Sequence, residues 1–299
     1  MDRREFLQLA CFGGVVVAIG LDPLAIAAEK RSGKDHFAFV QLSDTHWGFS
    51  NPQINPESAV TLKKEIAFVN SMSTQPDFII FTGDLTHDTE NDAERRKRLK
   101  EFREIVGGLK VKNLKFMPGE HDAALDGGEA YREFFGDAHY SFDHKGIHFI
   151  ALNNTTDPRA IIGDMQLEWL ASDLQKLDKH APIVVFTHRP LFELYSEWQW
   201  YTRDGSKVID MLTPFRNVIA FYGHIHQENH QTTGRIAHHA CKGSMYPLPA
   251  PGSQPVLAPV PWDAQKPFKG LGFRGVKADI KTAKYELAEF SVTDVKEVK

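Results

Sequence analysis

Five short apolar runs in this chain each stop at a cluster of carboxylates and imidazoles, and this punctuation limits the possible fold more than any other feature. His36 to Leu42 stops at Ser43-Asp44-Thr45-His46, Asp77 to Phe81 at Thr82-Gly83-Asp84, and Asn113 to Met117 at Pro118-Gly119-Glu120-His121-Asp122. Pro182 to Phe186 stops at Thr187-His188-Arg189-Pro190, and Val218 to Tyr222 at Gly223-His224-Ile225-His226. Runs this short and apolar read as buried strands. Between them lie stretches of helical spacing: Glu57 to Met72, Asn91 to Val106, and a helix starting near Asp164 as N-cap with Leu167, Leu170, Leu174 and Leu177 on one face. Strands alternating with helices predict an α/β sheet, and such sheets bind ligands just past the carboxyl ends of their strands.

The rest of the chain fits one such unit. Tyr140 to Asp143 and Ile147 to Leu152 read as antiparallel strands around a turn at His144-Lys145-Gly146, and Val276 to Ile280 with Tyr285 to Val292 as a closing hairpin. Tyr246 to Pro267 is rich in proline and poor in periodicity, so it reads as a long ordered loop. There is no internal repeat. A net charge of -4 gives no basic surface of the kind nucleic acid or an anionic membrane requires, and Glu94-Arg95-Arg96-Lys97-Arg98 reads as a solvated helix face. The 14 histidines weigh more, because imidazole is a common metal ligand and a proton donor near neutral pH.

The first residues read as an address. Arg3-Arg4 precede a weakly hydrophobic stretch from Leu9 to Leu21, and Ala25-Ile26-Ala27 offers small residues for cleavage before Ala28. Residues 1–27 are therefore expected to be a twin-arginine signal, with export to the periplasm or beyond through the Tat machinery and the functional domain over 28–299. The other reading is an uncleaved anchor helix, but the apolar run is shorter than the ~20 residues a membrane span requires, so no stable membrane insertion is expected. Of the two cysteines, Cys11 lies in this segment, which leaves Cys241 and no internal disulfide after cleavage.

Any one Asp-x-His or Gly-Asp is common in proteins without metal. The ordered series Asp44-x-His46, Gly83-Asp84, Gly119-Glu120-His121-Asp122, His188 and Gly223-His224-Ile225-His226 is far more specific. It resembles the calcineurin-like metallophosphoesterase superfamily, which includes purple acid phosphatases and cyclic-nucleotide phosphodiesterases, and the resemblance spans nearly all of the chain after residue 35. It implies a four-layer α/β/β/α sandwich of two mixed sheets, a pair of metal ions (iron, zinc or manganese) at the strand ends, and hydrolysis of a small-molecule phosphate ester by a metal-bridging hydroxide. It also implies that Asp44, His46 and His226 serve one metal, that His188 and His224 serve the other, and that Asp84 is shared. His224 and His226, two apart, are expected to lie on extended backbone and point the same way. His121 resembles the family's catalytic histidine, with Asp122 expected to fix its tautomer; the alternative is that His121 caps a helix.

One residue departs from the pattern. Most members carry Asn where this chain has Glu120. A carboxylate there adds negative charge to the second metal's surroundings, which favours a more highly charged metal such as ferric iron and a phosphodiester monoanion over a dianion. A Glu120 turned away would instead leave one metal weakly held. The alternatives on the same fold are a non-hydrolytic metal-binding or sensing protein and a di-iron redox protein. Trp198, Trp200 and Tyr201 either stack a substrate or pack, and Arg189 either pairs with phosphate or forms a structural salt bridge. His87 and Asp88 are candidates for supporting the site, Asn153 and Asn154 for supporting loops, and His238 and His239 read as ordinary strand or turn residues.

Overall fold

The computed structural model describes residues 9–12, 15–18 and 36–292; the rest of the expected export signal lies outside the described residues. Thirteen strands are described: β1 (Leu9–Phe12), β2 (Val15–Ala18), β3 (His36–Leu42), β4 (Phe78–Thr82), β5 (Leu114–Met117), β6 (Tyr140–His144), β7 (Ile147–Ala151), β8 (Pro182–Phe186), β9 (Asn217–Tyr222), β10 (Asn229–Thr233), β11 (Ile236–Ala240), β12 (Gly272–Asp279) and β13 (Lys284–Ser291). They form a seven-stranded sheet, β1-β2-β13-β12-β3-β4-β5, and a six-stranded sheet, β10-β11-β9-β8-β7-β6. Both sheets are mixed. β3, β4 and β5 run parallel in one and β7, β8 and β9 in the other, while β12 and β13 pair antiparallel as the closing hairpin.

Strand alternation decides what each sheet faces. On β3, Phe37 and Phe39 point between the sheets and Val40 and Leu42 point to the helices. β4 repeats this with Phe78 and Ile80 against Ile79 and Phe81, and β8 with Val184 and Phe186 against Ile183 and Val185. The layer between the sheets is therefore aromatic. Phe39 stacks on Phe78 at 5.0 Å and meets Phe149, Phe186 and Phe221 edge-on at 5.5 to 6.2 Å.

Helices α1 (Thr61–Ser71) and α2 (Asp92–Val106) cover the first sheet through Leu62, Ile66, Val69, Phe102 and Val106. A four-residue turn of helix, α3 (Glu120–Ala123), and α4 (Glu129–Phe135) follow β5. Helices α5 (Asp164–Leu174) and α6 (Gly205–Leu212) cover the second sheet through Leu167, Leu170, Leu174, Val208 and Leu212. The expected α/β/β/α layering is what forms. Among the described residues no helix is long and apolar enough to cross a membrane.

Several local expectations are corrected. The first helix begins at Thr61 rather than Glu57, after a run of turns from Pro56. Asp164 is not the cap of α5: Gly163 takes that place at φ 80°, and Asp164 sits inside the first turn, where its charge favours the helix N-terminus. The hairpin β10-β11 and the short helices α4 and α6 were not expected.

Candidate metal centre

Parallel strands put their carboxyl ends at one edge, and beyond those ends the loops remain hydrogen-bonded to one another. Asp44 N donates to Gly83 O at 3.1 Å, His46 N to Asp84 O at 2.9 Å, and Gly223 N to His188 O at 3.0 Å. The turns are tight. Asp44, His46, Asp84, His224 and His226 all adopt positive φ, between 39° and 66°. That region costs a non-glycine residue on the order of 1 kcal/mol or more, and it persists only where the surroundings impose it. The expected extended backbone at His224 and His226 is therefore wrong; the two side chains enter different halves of the site from a turn. Gly83, at φ 102°, and Gly119 are required by close approach, since a Cβ would run into the His188 ring in one case and the Asp84 carboxylate in the other.

All seven expected metal ligands converge, in two groups that share Asp84. Asp44, His46, Asp84 and His226 form one, and Asp84, Glu120, His188 and His224 the other, with one donor atom from each residue within 4.8 Å of the rest of its group. In the first, the Nε2 atoms of His46 and His226 face each other at 3.2 Å, and Asp44 Oδ1 lies 3.3 Å from His226 Nε2. In the second, Glu120 Oε2 lies 2.9 Å from His188 Nε2, Glu120 Oε1 2.8 Å from His224 Nδ1, and Asp84 Oδ2 3.3 Å from His188 Nε2. Glu120 points into the site rather than away from it. Glu120 Oε2, His188 Nε2 and His224 Nδ1 are buried without a well-oriented hydrogen-bond partner although they crowd together, as donor atoms aimed at a common cation do.

Backbone groups aim these side chains. His188 Nδ1 donates to Thr82 O at 2.7 Å and His226 Nδ1 to Tyr246 O at 2.6 Å, which leaves each Nε2 free to ligate. The amide of His224 donates to Asp44 and that of His121 to Asp84. Buried among acids, the donor set is strongly polarised. Burial alone would lower the pKa of His188, but Asp84 and Glu120 raise it well above the usual range. At His46, burial and the neighbouring His121 and His226 push the pKa well down.

Asp122 does not serve His121. Its carboxylate accepts from the amides of Leu85 (3.0 Å), Thr86 (2.6 Å) and Gly119 (2.9 Å), so it ties the second and third loops together, and burial followed by the Asp84 charge pushes its pKa to about 7. The partner of His121 Nδ1 is Asp88 Oδ1 at 2.7 Å. Burial works against a charged His121, yet Asp84 and Asp88 raise its pKa to about 10. His121 is the second residue of α3, whose cap is Gly119, and stands beside His46, ring centroids 4.6 Å apart, and His87 Nδ1 lies 3.4 Å from His46 Nδ1.

Trp198 and Trp200 are buried in a cluster with Tyr222 and Ile225, so they pack rather than face a substrate. Asn154 supports loops, donating to Arg189 O and Thr202 Oγ1. His238 and His239 are ordinary buried residues of β11. Tyr246 is the participant that sequence reasoning missed. Its ring stacks on His46 and His226 at 4.9 and 4.6 Å, and its hydroxyl lies 3.2 Å from His46 Nε2. The only signal was its place at the start of the proline-rich loop.

The comparisons agree with this geometry. The chain is 27% identical over 205 residues to the probable glycerophosphodiester phosphodiesterase GpdQ of Arcobacter nitrofigilis, covering 63% of this chain and 71% of that one. It is 25% identical over 211 residues to the 3',5'-cyclic adenosine monophosphate phosphodiesterase CpdA of Pseudomonas aeruginosa, covering 66% and 72%. Its fold matches a purple acid phosphatase from yellow lupin with a TM-score of 0.62 at 15% identity, over 94% of this chain and 54% of that longer one. Residues 37–228 match the family model described as calcineurin-like phosphoesterase, and the chain belongs to that family of phosphate ester hydrolases.

Proposed function

We propose that this protein hydrolyses small phosphate esters, diesters foremost, at a centre of two cations. The observation that carries this reading is the pair of buried donor groups that meet at Asp84. Asp44, His46, Asp84 and His226 would hold one cation, and Asp84, Glu120, His188 and His224 the other. Cations so held acidify water and offset the charge that develops on phosphorus. His121, kept protonated by Asp84 and Asp88, donates a hydrogen bond to a phosphate oxygen and passes its proton to the departing alkoxide. The diester preference is supported by the diester-hydrolysing names of both relatives.

The test is metal analysis with hydrolysis of p-nitrophenyl phosphate and bis-p-nitrophenyl phosphate. Two metals per chain are expected, with turnover lost on chelation and restored by Mn²⁺, Zn²⁺ or iron; no turnover with any of them overturns the reading. We propose further that the protein acts after twin-arginine export and cleavage near Ala28. Sequencing the amino terminus of the protein recovered outside the cytoplasm checks this, and an intact Met1 there would refute cleavage.

A further inference from the structure

Three carboxylates, Asp44, Asp84 and Glu120, crowd into this centre, and among the described residues a single guanidinium or ammonium pairs with any of them. Arg189 Nη2 lies 3.2 Å from Glu120 Oε1. Arg189 immediately follows His188 in the chain, and Asn154 pins its backbone on both sides, accepting from Arg189 N at 3.3 Å and donating to Arg189 O at 2.9 Å. Its Nη1 donates to Gln199 O at 2.9 Å and lies 3.2 Å from His224 Nε2. The side chain is 11% exposed, so its charge is poorly screened by water.

We propose that Arg189 and Glu120 act as one unit: the guanidinium supplies the fixed counter-charge that admits a third carboxylate to the centre, and so sets how strongly the site attracts a doubly charged phosphate group relative to a singly charged diester. The charge count gives the direction. With two divalent cations, three carboxylates leave a net of about +1, and Arg189 raises it to about +2. A neutral residue at 120 without Arg189 gives the same sum, so removing both partners should restore what removing Arg189 alone takes away. The second clause rests on the phosphoesterase reading; the first does not.

The experiment is a cycle of wild type, Arg189→Met, Glu120→Asn and the double variant, each measured in two ways. Calorimetric titration of Mn²⁺-loaded protein with inorganic phosphate is expected to show binding weakened about tenfold or more in Arg189→Met and returned to within about threefold of wild type in the double variant. Binding of a non-hydrolysable phosphodiester should change less. Melting of the metal-free proteins should show Arg189→Met several degrees below wild type and the double variant recovering most of the loss, because Arg189→Met takes from Glu120 its one guanidinium partner and leaves only His188 and His224 beside it, whereas the double variant removes the carboxylate as well. Arg189→Lys keeps the charge and should bind phosphate nearly as wild type, which provides a variant that folds if Arg189→Met does not. A double variant as impaired as Arg189→Met in both measurements overturns the proposal and makes Arg189 an independent phosphate contact. If wild type hydrolyses no ester while the melting cycle is still non-additive, the pair stands and the hydrolase reading falls.

Discussion

At the scale of single residues, the acid that matters to His121 is remote in sequence. Asp122 is adjacent and was the natural choice, but helical backbone at α3 turns it inward to three amide donors, and Asp88 reaches His121 from the loop after β4. Against burial, the charge of Asp84 and the hydrogen bond that His121 Nδ1 donates to Asp88 favour the protonated ring, so the acid form persists as pH rises and is lost only on passing its raised pKa. Asp88→Asn removes the charge while keeping a polar side chain. The alkaline limb of the kcat profile should then move to lower pH by at least about one unit, with the metal content unchanged. An unmoved limb would mean that His121 is not the proton donor.

At the scale of elements, most of the architecture was legible because it follows from alternation and punctuation. Phe37, Phe39, Val40 and Leu42 declare a strand buried on both faces, and Asp44 marks its end. The candidate donor set was legible for the same reason: each of its residues follows a parallel strand, and parallel strands share an edge. The rest was not, and the cause is specific in each case. β10 is a polar edge strand whose residues Asn229, His230, Gln231, Thr232 and Thr233 carry no apolar alternation. His224 and His226 adopt positive φ where the His224 amide donates to Asp44 and His226 Nδ1 to Tyr246 O, partners remote in the chain that local sequence does not encode. Tyr246 reaches the site through a loop without periodicity. The aromatic layer between the sheets joins the elements that carry the candidate donors, so its loss should loosen both donor groups together. Phe39→Ala, at a fully buried site against five other phenylalanines, should cost about 3–5 kcal/mol. Urea unfolding measures this, and a cost under ~1 kcal/mol would show that the layer tolerates a cavity there.

At the scale of the whole molecule, buried acids couple stability to pH. Glu65 on α1 is fully buried, both its carboxylate oxygens lack a well-oriented hydrogen-bond partner, and it lies near Ser244, whose amide donates to Ser43 O just before Asp44. Burial raises its pKa from 4.5 to about 8, with the Ser244 hydroxyl acting weakly the other way. The sign follows from proton counts. Between those two values the unfolded chain has released this proton and the folded chain still holds it, so folded protein binds more protons and stability falls as pH rises. Below the lower value the penalty is absent, and above the upper one it is complete, on the order of 5 kcal/mol. Asp122, raised to about 7, adds to the same slope. Glu65→Gln removes the titrating group while keeping the shape, so the variant should melt close to wild type at pH 5 and several degrees above it at pH 8.5. Because Asp122 still titrates, the variant's own melting temperature should still decline with pH, only less steeply. Parallel melting curves for the two proteins across that range would show that Glu65 is ionised in the folded state and finds a partner there.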